Sequence, residues 1–239
     1  MKLDILAFGA HPDDVELGAG ATIAMEIAAG KKVGIIDLTR GELGSRGSAE
    51  IRDQEAATAA KILGVSLREN MGFPDGFFQN SPALQLEVIA KIRQYQPKVV
   101  LCNAIRDRHI DHGKGSALVS DACFLSGLVK IETKDATGHI QTPWRPKLVF
   151  HYIQWENITP DFVLDVSGFV DKKQEAIMVY SSQFFDPNSK EPQTPISSKN
   201  FLDSVRYRAQ DLGRLIGVAS AEGFTAERPV AAASLDHLI

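Results

Sequence analysis

Three short runs, LDILAFGA (3–10), KVGIIDLT (32–39) and KVVLCNA (98–104), are apolar almost throughout instead of alternating apolar with polar. A strand of that kind leaves no face for water, so it belongs in a sheet covered on both sides. Helical patterns separate these runs: DDVELGAGATIAMEIAAGKK (13–32), SAEIRDQEAATAAKILG (48–64), ALQLEVIAKIRQYQP (83–97) and DHGKGSALVSDACFLSGLVK (111–130). Pro12 and the acids after it suit the first turn of the first helix, and Gly30 its stop. Ser48 can cap the second helix and Gly64 can end it. SLRENMG (66–72) reads as a short third strand. KLVFHYI (147–153) and FVLDVS (162–167) read as later strands, and FVDKKQEAIMVYSSQF (169–184) and KNFLDSVRYRAQDLGRLIG (199–217) as amphipathic helices. The polar segments 131–146 and 185–198 read as loops, the second as a surface loop. Strand alternating with helix predicts an α/β fold, a Rossmann-like three-layer sandwich whose mostly parallel sheet carries helices on both faces. With 239 residues and no linker or repeat, the chain reads as one domain, 1–239.

A net charge of −4 offers no basic surface, so neither nucleic acid nor an anionic membrane is an expected partner. The two cysteines, Cys102 and Cys123, sit in apolar surroundings and read as buried thiols in a reducing compartment. The N-terminus lacks the features of a signal peptide, and no apolar run reaches the roughly 20 residues that span a bilayer. The expectation is a cytoplasmic protein.

In a parallel sheet the loops leaving the carboxyl ends of the strands line the ligand crevice. Three polar clusters fall there: His11-Pro12-Asp13-Asp14, the segment Thr39 to Arg52, and RDRHIDHG (106–113). Two adjacent carboxylates repel each other unless something positive offsets them. Two imidazoles and a carboxylate are a common catalytic zinc set with one position open for water. His11 with Asp14 or Asp13, joined by His109 or His112, can supply it, and the spare aspartate is then placed to act as a base. Alone, the His-Pro-Asp-Asp segment reads equally well as a helix N-terminus. The second histidine pair, in the matching loop, tips the balance to a metal. RGELGSRG (40–47) fits no dinucleotide or phosphate-loop spacing and reads as a substrate loop. Arg46 reads as solvated or paired with Glu42, Glu50 or Asp53, Asp75 as a turn residue, and Tyr180 as core. His139, His151 and His237 carry no assigned role.

AHPDD (10–14) and RHIDH (108–112) resemble the paired signature of the PIG-L (LmbE-like) zinc N-deacetylase family. LTRGELGSRGSAEIRDQEA (38–56), MGFPDGFF (71–78) and YSSQF (180–184) extend the resemblance over nearly the whole chain. It implies a metal held by His11, Asp14 and His112. It makes Asp13 the general base and His109 the group that stabilises the oxyanion or protonates the leaving amine. It also gives Asp111 the task of orienting His109, and Arg52 that of meeting anionic or polar groups of the substrate. The implied cofactor is Zn2+, although an N/O donor set also takes other divalent ions such as Fe2+. The implied reaction removes acetyl from an N-acetylglucosamine conjugate, with N-acetylglucosaminyl-malate, on the route to bacillithiol, as the substrate. Other N-acetylated amino sugars or thiol conjugates are the alternative substrates, and a non-catalytic metal- or nucleotide-binding module is the rival of another class. The implied partners are this small molecule and further copies of the chain, in a homo-oligomer such as a hexamer.

Overall fold

The computed structural model describes residues 1–238. The side chains of 237 and 238 fall outside that description, and with them the expectation for His237. Seven strands, β1 (Ile5–Gly9), β2 (Val33–Thr39), β3 (Leu67–Phe73), β4 (Val99–Cys102), β5 (Leu148–Tyr152), β6 (Phe162–Asp165) and β7 (Ala221–Ala226), form one sheet in the order β3-β2-β1-β4-β5-β7-β6. Pairings from β3 through β5 are parallel, whereas β7 runs antiparallel to both of its neighbours.

Every residue of β1 and β2 is buried, which is why these runs are apolar on both faces. Side chains still divide with the strand period of two. Ile5, Ala7, Val33 and Ile35 pack with residues of α1 (Asp14–Ala28), α2 (Ala49–Leu63) and α5 (Val170–Met178). Leu6, Phe8, Ile36 and Leu38 meet α3 (Pro82–Tyr95) and α4 (Ile110–Leu125) on the other face. The expected three-layer sandwich is therefore present, with α6 (Lys199–Ile216) against β7. Both cysteines are free and buried, and no helix among the described residues is long and apolar enough to cross a membrane.

Some expectations need correction. The sequence reading held no β7, because AEGFTA has neither an apolar run nor a clean alternation. Its Glu222 is buried by pairing with Lys173 at 2.6 Å. Pro12 precedes the helix instead of occupying its first turn, since α1 starts at Asp14. α5 ends at Met178, short of residue 184, so Tyr180 lies beyond it; that ring is core, and its hydroxyl donates to Glu16.

β1 and β4 are neighbours, yet α1 covers one face and α4 the other. The chain diverges there, leaving a crevice at the carboxyl ends of these strands. Close packing beneath it fixes α1. Gly18 lies flat against the fully buried Tyr152 ring, whose hydroxyl donates to the Phe8 carbonyl at 2.8 Å. A methyl group at residue 18 overlaps that ring, so Gly18→Ala is expected to lower stability by about 1–3 kcal/mol. Urea unfolding reads this directly; a midpoint at or above the parental value counts against the packing.

Candidate active site

The turn after β1 carries His11, Pro12 and Asp13, and Asp14 opens α1. Asp14 reaches back to accept the His11 amide at 2.9 Å, which closes the turn. Asp13, at the helix N-cap, adopts φ 112°, and among the described residues only Gln96 is another non-glycine with positive φ. Such a conformation is costly and persists where surrounding contacts hold it. Here Arg52 of α2 holds it, donating to the Asp13 carboxylate at 3.0 Å and to the Pro12 carbonyl at 2.5 Å.

The turn after β4 supplies the second half. His109 caps α4, its Nδ1 accepting the Asp111 amide at 3.3 Å, and His112 lies in the first turn. Ring nitrogens of His11, His109 and His112 all lie within 4.8 Å of one another. Asp14 Oδ1 is 3.1 Å from His112 Nε2, and Asp14 Oδ2 is 3.5 Å from His11 Nδ1. The far nitrogen of each of these two rings faces another carboxylate: His11 Nε2 meets Asp75 at 3.1 Å, and His112 Nδ1 meets Asp107 at 2.8 Å. Carboxylates behind imidazoles fix their tautomers and orient the near nitrogens toward a cation.

Charges around these rings point the same way. Burial lowers the His112 pKa, but Asp14 and Asp107 outweigh it and lift it to about 9. Burial likewise opposes protonation of His11, and Asp111, Asp14 and Asp75 overcome it. Asp14 would be raised by burial, yet His112 and His11 hold it well below the ordinary carboxylate range. The pocket demands positive charge between these groups, and two imidazoles with one carboxylate suit a divalent cation. His11, Asp75 and Asp111 also lie close together. There the amides of Leu43 and Gly76 and the Lys114 ammonium already occupy the carboxylates, so that group supports His11 instead of forming a second ion site.

Two other groups complete the chemistry. Burial pushes Asp13 up to about 7, against the pull of Arg52, which suits a proton acceptor near neutrality. Burial, together with the neighbouring His11 and His112, pushes His109 down. Neutral His109, with Nδ1 accepting from a backbone amide, carries its proton on Nε2 as a donor.

Three expectations change. Asp111 meets the His109 ring through its backbone amide and not its carboxylate, which takes the Gly76 amide and Lys114 and lies 3.5 Å from His11. Arg52 lines the cleft, but its terminal nitrogens go to Asp13 and two carbonyls and only its Nε has no partner, so its first contact is the Asp13 carboxylate. Arg46 is buried without a carboxylate partner; it donates to the carbonyls of Ser182 and Pro192 and to Ser189 Oγ, tying the loop before α2 to the one before α6. That tie matters because Thr194, Pro195 and Ile196 of the latter loop wall the cleft. The cleft holds about 410 Å³ and includes His11, Asp13, Asp14, His109 and His112. The sequence reading also missed Asp107, Asn103, Gln154 and the rim residues Arg108 and Arg208. Only Asp107 and Arg108, both within RDRHIDH, carried any signal.

Fold and site together define an α/β metal-hydrolase type of protein, and the chain belongs to the PIG-L family. The family model described as GlcNAc-PI de-N-acetylase matches residues 6–123, the span from β1 into α4 that holds both halves of the site. Conserved protein TT1542 of Thermus thermophilus is 35% identical, with a TM-score of 0.86, over 96% of this chain and 97% of that one. Diacetylchitobiose deacetylase of Thermococcus kodakarensis is 26% identical over 190 residues, 75% of this chain and 70% of that protein. GalB of Pseudomonas putida, a 4-carboxy-2-hydroxymuconate hydratase, has a TM-score of 0.77 at 21% identity over 98% of this chain and 99% of its own, a likeness of fold alone.

Proposed function

We propose that the chain is a zinc-dependent N-deacetylase of an N-acetylglucosamine conjugate, with N-acetylglucosaminyl-malate as its substrate. The carrying observation is Asp13, a carboxylate buried beside the converging His11, Asp14 and His112 and held there by Arg52, where burial pushes its pKa up to about 7. A site that only binds a cation has no use for such a base. The family model and the diacetylchitobiose deacetylase relative support the reaction and the sugar class.

His11, Asp14 and His112 would hold the ion, which supplies a Lewis acid for the amide carbonyl and a lowered pKa for water. Asp13 takes a proton from the water that attacks the acetamide carbon. The His109 Nε2–H donates to the developing oxyanion, an arrangement typically worth about 2.7–4 kcal/mol per donor. The C–N bond then breaks, the proton held by Asp13 passes to the leaving amine, and acetate remains. Arg52 keeps Asp13 aimed and ionisable throughout.

Support for an anionic aglycone comes from the rim. Arg108 is exposed, its guanidinium 4.9 Å from the Trp155 ring centre, and Arg208 lines the same cleft. A guanidinium matches a carboxylate in shape and charge. The test is deacetylation of the malate conjugate, free N-acetylglucosamine and N,N'-diacetylchitobiose by metal-stripped and zinc-restored protein. The expected result is activity only after restoration, with the malate conjugate preferred. Arg108→Ala should raise KM for that conjugate about 10–100-fold and leave the neutral sugars unchanged. Equal effects on all three would remove the malate assignment but not the deacetylation.

A further inference from the structure

We infer that Asn103 and Gln154 form a carboxamide clamp that restricts Asp14 to a single-oxygen ligand, making both of them positioning residues of the metal centre. The inference rests on the metal reading above and adds what holds the one acidic ligand in place.

Asn103 follows β4 and Gln154 follows β5, and both are buried, as is Asp14. The Ala10 amide donates to Asn103 Oδ1 at 2.8 Å. Because that partner is a backbone N–H, the amide orientation of Asn103 is fixed and its Nδ2 must face the other way. Nδ2 donates to Asp14 Oδ2 at 2.9 Å and to Gln154 Oε1 at 3.0 Å. The second bond orients Gln154 in turn, and its Nε2 donates to Asp14 Oδ1 at 2.6 Å. Two carboxamides and one carboxylate thus form a closed ring whose direction is set by the end of β1.

A carboxylate offers about four lone-pair sites, two on each oxygen. Oδ2 spends both, on the amides of His11 and Asn103. Oδ1 gives one to Gln154, and its remaining side faces His112 Nε2 at 3.1 Å. Only Oδ1 is left for a cation. Neutral donors do this without adding charge, so the ion keeps the net positive charge that acidifies water. The clamp also closes the sheet above the crevice, because it links the ends of β1, β4 and β5 through side chains where their ladders have ended.

Gln154→Ala and Gln154→Met separate a hydrogen-bonding role from a packing role, since methionine restores bulk without the amide. Zinc affinity is read by competition with a chelator, and the coordination mode by the visible absorption of the Co2+-substituted protein. Both variants should bind zinc about 10–100-fold more weakly than the parent, with parental circular dichroism in the metal-free state. Both should also show an altered cobalt band, as Asp14 Oδ1 loses the donor that directs its free side to the ion while Oδ2 stays held by the amides of His11 and Asn103. Parental affinity and spectrum in both variants overturn the clamp, as does recovery in the methionine variant alone. A parent chain that binds no zinc fails the metal reading itself, an outcome separate from either.

Discussion

Asp13→Asn is expected to lower kcat by about 10³-fold, within the range that a positioned proton acceptor supplies, while the protein keeps its metal. Asparagine is the informative choice because of the backbone. Residue 13 sits at φ 112°, a region in which asparagine and aspartate are enriched and alanine is strained. The amide oxygen can still accept from Arg52, so the turn between β1 and α1 keeps its shape. What disappears is the ability to take a proton. Unchanged turnover with full metal content would mean that another group is the base.

The same residue sets the acidic limb of the rate profile. Burial lifts the Asp13 pKa to about 7, and Arg52 pulls against it. A divalent cation beside it pulls in the direction of Arg52, favouring the charged form. The limb of kcat/KM in the loaded protein therefore lies below 7. Activity is present where Asp13 is ionised and is lost as pH falls through its pKa. In Asp13→Asn the residual rate should no longer follow that limb.

Why some of this was legible in the sequence, and some not, follows from where the signal resides. β1, β2 and β4 carry buried side chains on both faces, so their apolar runs announce a covered sheet. β3, an outer strand with the half-polar run LRENMGF, shows itself only weakly, and β7 not at all. His11, Asp13, Asp14, His109 and His112 were readable because each half of the site is contiguous in the chain. The groups that orient them are not contiguous. Asp75 comes from the turn after β3 and reads there as an ordinary turn aspartate; Gln154 comes from the end of β5, with no motif around it. Asn103 looks like the polar end of an apolar strand. Arg46 and Arg52 show the same limit from the other side: charge and spacing do not reveal that one is buried among carbonyls and the other locked onto a carboxylate. Spatial convergence decides these roles.

His112→Ala and His11→Ala are expected to lose zinc outright, beyond the roughly 10–100-fold that removal of an orienting partner costs. Each change strips one nitrogen from a set of three ligands and removes the imidazole partner of a carboxylate, Asp107 behind His112 or Asp75 behind His11. His109→Ala makes the opposite prediction, although the three rings lie within 4.8 Å of one another at their nitrogens. Its Nδ1 is turned to the Asp111 amide, no carboxylate side chain accepts from its ring, and its pKa is pushed down while the other two are pushed up. That is the signature of a neutral donor outside the ligand set. His109→Ala should therefore keep full zinc and lose about 10²–10³-fold in kcat, the scale of one oxyanion donor. Metal analysis of the three purified variants, each dialysed against the same zinc buffer, separates the roles. Zinc retained in His112→Ala and lost in His109→Ala would exchange their places and redraw the site around the other imidazole.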